Sequence, residues 1–145
     1  MKTFFLIKPD GMLHEQRALA MIKERFEIDN YETLTATDEF ICRIYKSAVP
    51  YNILPAVKAY LRERPIGCGF ARTSIDSFIE LTGRNMIPLE CPSGTIRREY
   101  GAGIGKTASG LIIIRNAIHR PKDMKQNIEF IQVLRDCYGI NPYQV

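Results

Sequence analysis

Residues 2–27 read KTFFLIKPDGMLHEQRALAMIKERFE, and the change of period within that stretch decides the fold class. Thr3 to Lys8 is a short run rich in aromatic and branched side chains, stopped by Pro9, Asp10 and Gly11, which reads as a buried strand ending in a turn. From residue 15 to residue 27 the spacing becomes helical. Leu19, Ile22 and Phe26, with Ala18 and Met21 beside them, fall on one side, while Glu15, Lys23, Glu24 and Glu27 point away.

Working outward, Tyr31 to about Ile44 is rich in Thr, Tyr, Phe and Ile and predicts a long second strand. Asn52 to Arg62 carries apolar residues at helical spacing, with Pro55 in the first turn. Pro65 opens a third strand through Phe70. Thr73 or Ser74 caps a helix whose inner face is Ile75, Phe78 and Ile79, with Gly83 past its end. Residues 84–110 form a long irregular stretch with Pro88, Pro92 and several glycines, the kind of loop that is usually functional or mobile. Leu111 to Ile118 predicts the fourth strand. Asp123 caps a closing helix with Met124, Ile128, Ile131 and Leu134 inside, ended by Gly139 and Pro142. This order predicts an α+β fold: a ferredoxin-like βαββαβ sandwich with a four-stranded antiparallel sheet and helices on one face, as a single domain over residues 1–145.

The composition agrees with one domain built on its own core. Of 145 residues, 46% are apolar, enough to bury a core without metals or disulfides. No apolar run is long enough to cross a bilayer, so neither a membrane nor a targeting segment is expected. The cysteines at 42, 68, 91 and 137 lie too far apart for a CxxC pair and suit reduced thiols in the cytoplasm. Lys and Arg exceed Asp and Glu by 20 to 16, a mild excess compatible with an anionic ligand.

Two motif readings fail on their own terms. GAGIGKTASG, residues 101–110, suggests a phosphate-binding P-loop, but Tyr100 stands where that pattern needs Gly, and the segment runs into a strand rather than a helix. IGCGFA, residues 66–71, echoes an RNA-stacking strand, but Cys68 occupies the position between the glycines, so nucleic acid is not an expected partner. Arg84, Arg97, Arg98, Lys106, Arg115, Arg120 and Lys122 crowd the second half. A loop folded over the fourth strand would bring several of them together for bidentate phosphate contacts.

Three segments in order carry a family resemblance. KTFFLIKPDG (2–11) resembles the opening strand of nucleoside diphosphate kinases. GTIRREY (94–100) is similar to that family's GTIRGDF, and RNAIH (115–119) to its RNIIH, which ends in the catalytic His. Pro55 and Pro65 keep the family's spacing, and the same register places Tyr45 on its active-site Tyr. The resemblance covers most of the chain. It implies His119 as the nucleophile of a phosphohistidine ping-pong exchange between nucleoside triphosphates and diphosphates. Lys8, Tyr45, Asn116 and Arg97 would surround the phosphates, with Ile53 and Val57 on the base side. Mg²⁺ would come with the nucleotide, no protein metal cluster being required. A homo-oligomer is also implied, as a dimer, tetramer or hexamer. The alternative is a catalytically weakened nucleotide-binding regulatory module of the same fold.

The chain departs from the family at defined points. Ile53 stands where the family has the Phe that covers the base, so stacking would be weaker or come from Tyr51. Phe78-Ile79-Glu80 lacks the family's helix Arg, for which Arg84 is the candidate substitute. The family's phosphate-binding Thr falls near Asn85, its Ser two residues after the His is Pro121, and its His-orienting Glu has Glu129 as an approximate match. Between Tyr100 and Arg115 the chain inserts about eight residues, and the 101–110 segment would cap the nucleotide.

Overall fold

A computed structural model describes residues 1–143. The first strand, β1 (Lys2–Ile7), lies inside a four-stranded sheet of order β2-β3-β1-β6, with β2 at Ile28–Leu34, β3 at Ile66–Arg72 and β6 at Ile118–His119. The pairings β1–β3, β2–β3 and β1–β6 are all antiparallel. Because side chains alternate along a strand, β1 serves two cores. Phe4 and Leu6 enter one that includes Phe70, Ile44, Leu61, Phe130 and Leu134. Phe5 and Ile7 enter the other, with Leu19, Ile22, Phe78 and Ile96.

The ferredoxin-like arrangement holds, with one correction. Helices α2 (Glu15–Lys23) and α5 (Ile75–Thr82) cover one face, but the opposite face is not bare. It carries α3 (Asp38–Tyr45), α4 (Leu54–Leu61) and α7 (Met124–Tyr138). A strand as apolar as FFLI exposes hydrocarbon on both sides and requires cover on both. The short α1 (Pro9–Met12) follows β1 directly.

Three local expectations change. The second strand ends at Leu34, and the last part of its expected span, from Asp38 on, is the helix Asp38–Tyr45, started by Thr37, whose hydroxyl accepts from Phe40 N. Phe40, Ile41, Ile44 and Tyr45 then recur at helical spacing and are all buried. The 84–110 stretch is not wholly irregular: it carries a 3₁₀ turn at Pro88–Glu90, α6 (Ile96–Tyr100) and β4 (Gly103–Lys106). The expected fourth strand divides, because β5 (Ile112–Arg115) pairs with β4 as a separate hairpin and only Ile118–His119 joins the main sheet.

That short β6 also explains why α7 turns a different face inward. It reaches only Leu6 and Ile7 of β1. Farther along β1, the side-chain amide of Asn127 takes the place of a strand, accepting from Phe4 N at 2.9 Å and donating to Lys2 O at 3.0 Å. With Asn127 turned inward, Phe130, Val133 and Leu134 follow it, and Met124 and Ile128 are left exposed. Asp123 and Ser74 cap their helices as expected, accepting from Gln126 N and Ser77 N.

Candidate active site

The site is assembled where β1 ends. Lys8 N donates to Ala117 O at 2.8 Å, and Ile118 N to Asn116 O at 2.8 Å. The second bond spans one residue, so Ala117, at φ 69, is the centre of a tight γ-turn that an L-residue enters only under strain. Asp10 holds it there. One carboxylate oxygen of Asp10 accepts from Ala117 N at 2.9 Å and from Ala102 N at 3.1 Å, and the other accepts the hydroxyl of Tyr60. Gly11 is required beside it, since a Cβ there would run into the Ala117 carbonyl oxygen.

The turn sets the side chains on either side of it. Asn116, buried, accepts from Lys8 Nζ at 2.7 Å and donates to Met86 O at 3.1 Å. His119 is 9% exposed, stacked on Tyr45 with ring centroids 4.5 Å apart and planes at 29°, and has Phe130 at 5.4 Å. Its Nε2 is buried with no hydrogen-bond partner among the described residues, as is the Tyr45 hydroxyl. Burial, reinforced by Lys8, Arg97 and Arg120, holds the His119 imidazole well below its usual pKa, so the ring is neutral at neutral pH. Burial and Arg97 bring the Lys8 ammonium down to about 7, against an opposing pull from Asp10.

Arg97, on α6 behind the Thr95 cap, is buried and committed to backbone carbonyls: Ile118 O through Nε and Nη2, and Gly83 O and Asn85 O through Nη1. It fastens the 83–85 segment to β6. Beside these groups opens a cavity of about 450 Å³ lined by Lys8, Tyr45, Asn116, Ile53 and Val57, and walled on another side by Ile112, Ile113 and Ile114 of the hairpin.

The structure therefore gathers Lys8, Tyr45, Asn116, Arg97 and His119, with Ile53 and Val57 on the cavity's apolar side. It does not gather the rest. Arg84 and Asn85 are exposed and line a separate groove with Arg25 and Glu90; Asn85 spends its side-chain oxygen on Ile87 N. Glu129 is exposed on α7, and the neighbouring residue in contact with the His119 ring is Phe130. Tyr51 is 91% exposed and does not line the cavity.

No protein-family model matches the chain. A curated nucleoside diphosphate kinase of Streptococcus pneumoniae strain Hungary19A-6 is 30% identical to it, over 81% of this chain and 87% of the relative. The chain belongs to the nucleoside diphosphate kinase family. Among solved structures, the Borrelia burgdorferi nucleoside-diphosphate kinase, a transition state mimic with bound vanadate and ADP, superposes with a TM-score of 0.78 at 16% identity, covering 100% of this chain and 92% of that one. The Aquifex aeolicus enzyme gives 0.72 at 19% identity, over 92% and 93% of the two chains. Both support the family's fold.

Within that family frame, the sequence did not by itself place four groups at the site, although Arg120 stood among the basic residues of the second half. Asp10 was visible only as a turn former, although it fixes the Ala117 turn. Phe130 had no reading in the sequence, where the inner face of the closing helix was expected at Met124, Ile128, Ile131 and Leu134. Arg120 and the Ile112–Ile114 wall acquire their positions from the γ-turn and the hairpin, for which no local period exists.

Proposed function

We propose that this chain transfers the γ-phosphate of a nucleoside triphosphate to a nucleoside diphosphate through a phosphohistidine at His119. The observation that carries the reading is a neutral imidazole stacked on Tyr45 and ringed by Lys8, Arg97 and Arg120, next to a cavity of nucleotide dimensions. With Nε2 sealed, Nδ1 is the nitrogen that meets phosphate. Its lone pair attacks the γ-phosphorus, an N–P bond forms, and the bond to the bridging oxygen breaks, releasing the diphosphate with that electron pair. In the second half a terminal oxygen of the incoming diphosphate attacks the same phosphorus and the electron pair returns to the ring.

The protein's main contribution is positioning and charge. Lys8, oriented by Asn116, neutralises non-bridging oxygens; the Tyr45 ring holds the imidazole by stacking; Ile53, Val57 and the hairpin isoleucines give the base an apolar slot. Mg²⁺ enters as part of the nucleotide substrate, on its phosphate oxygens. Asp10, the buried carboxylate nearest the site, is already engaged by two backbone amides and Tyr60. No helix among the described residues is long and apolar enough to cross a membrane; from the family alone we propose a cytoplasmic homo-oligomer.

A second reading, a nucleotide-binding module with weakened catalysis, is favoured by a buried Nε2 with no acceptor among the described residues on a ring that packs against Phe130. Incubation with γ-labelled ATP and Mg²⁺ separates the two. An acid-labile label that GDP removes, and that His119→Ala abolishes, is the kinase outcome; tight ADP binding with no label is the module outcome.

A further inference from the structure

The helix that supplies an arginine in the family offers none here, since Ile79 is buried and Glu80 exposed, and Arg84 faces the outer groove. Another guanidinium reaches the C-terminal end of that helix from across the site. Arg120, directly after His119, donates through Nε to Thr82 Oγ1 at 3.3 Å and through Nη2 to Gly83 O at 2.9 Å. Arg97 Nη1 donates to that same carbonyl at 3.3 Å. Two guanidinium groups thus meet on one oxygen beside His119, and among the described residues neither lies within ion-pair distance of a carboxylate.

The bland account is that Arg120 caps the carbonyl end of α5, where cations are favoured. The Gly83 carbonyl has a lone pair for each donor, but the second partly buried cation brought onto it is repelled by Arg97 unless an anion lies between them. Arg120 also keeps its Nη1 without a protein partner among the described residues.

We propose that Arg120 is a phosphate-binding residue whose unpartnered Nη1 edge grips a non-bridging oxygen at the far end of the nucleotide's phosphate chain, beside Arg97, which holds the surrounding backbone. The proposal rests on the nucleotide site described above. Arg120 then does from the strand side what the family's arginine does from its helix.

The test is equilibrium binding, which needs no turnover. Mg·ADP and AMP are titrated into the wild type, Arg120→Gln and Lys122→Ala. Gln keeps a donor for Gly83 O but no charge, and Lys122 is an exposed, charge-matched control. Arg120→Gln should weaken ADP binding about tenfold or more and AMP binding far less, as loss of a charge-assisted pair requires. Lys122→Ala should keep the wild-type ADP-to-AMP ratio, and the ligand-free melting temperature of Arg120→Gln should stay near wild type. If Arg120→Gln does not fold, Arg120→Lys is read instead; it keeps charge without the fork and should lose part of the ratio. A wild-type ratio in the soluble variant overturns the proposal, while GDP-removable labelling of the wild type would still stand. A wild type that binds ADP no better than AMP overturns both.

Discussion

Phe130 lies 5.4 Å from the imidazole of His119, centroid to centroid, at an angle of 44°, and the Nε2 of that imidazole is buried without an acceptor among the described residues. Neutral imidazole must carry a proton on one nitrogen, and if Nδ1 attacks phosphate that proton sits on Nε2. Phe130→Glu would offer it a carboxylate. The expected outcome is a rise of the His119 pKa from its depressed position, since an adjacent negative charge favours imidazolium. An NMR titration of the ring reads this directly. The melting temperature should fall, because Phe130 is fully buried and packs on Phe4, and losing such a ring costs about 3–5 kcal/mol.

Lys8 makes nucleotide affinity depend on pH. Its ammonium, brought from 10.5 to about 7, is half deprotonated near neutrality in the free protein. Bound phosphate favours the charged form, so binding takes up a proton above pH 7. ADP affinity should therefore fall as pH rises from about 7 to 9, by at most about tenfold per pH unit. Calorimetry in buffers of different ionisation enthalpy should register the uptake at pH 8 and little of it at pH 6. An affinity that does not change across this range would contradict the assignment. For stability the sign is the same as for any depressed base. The contribution of Lys8 is full above its unfolded value of 10.5 and declines as pH falls toward 7.

Asp10→Asn should reduce both stability and turnover. An amide can present its oxygen to Ala117 N and Ala102 N or to the Tyr60 hydroxyl, but not to both sets. Loss of a buried, charge-assisted acceptor costs about 1.5–3 kcal/mol. Denaturant unfolding measures that cost. Because the Ala117 turn aims Asn116 and His119, label transfer should slow more than ADP binding weakens.

The hairpin of β4 and β5 predicts a protease footprint. Ile112–Ile114 wall the cavity and Ala108 N donates to Glu63 on the exposed rim beyond α4. Nucleotide in the cavity should slow tryptic cleavage after the exposed Lys106. Equal cleavage with and without ADP would show that the hairpin does not close on the ligand.

The sequence by itself determined the elements that carry their own period or caps. These are β1, the amphipathic face of α2, the Ser74 and Asp123 caps, and the core face of α5, where Ile75, Phe78 and Ile79 are all buried. Its three ordered segments also fixed the family, and with it Lys8, Arg97 and His119 as neighbours. Tertiary structure decided the rest, because the deciding forces act between segments far apart in the chain. The two residues of β6 are a strand only through Leu6 and Ile7 of β1, and α7 took its rotation from an Asn127 side chain completing the β1 ladder. That Arg120, and not Arg84, meets Arg97 at the Gly83 carbonyl follows a strained turn at Ala117 that is held from the other end of the sequence by a carboxylate ten residues from the start.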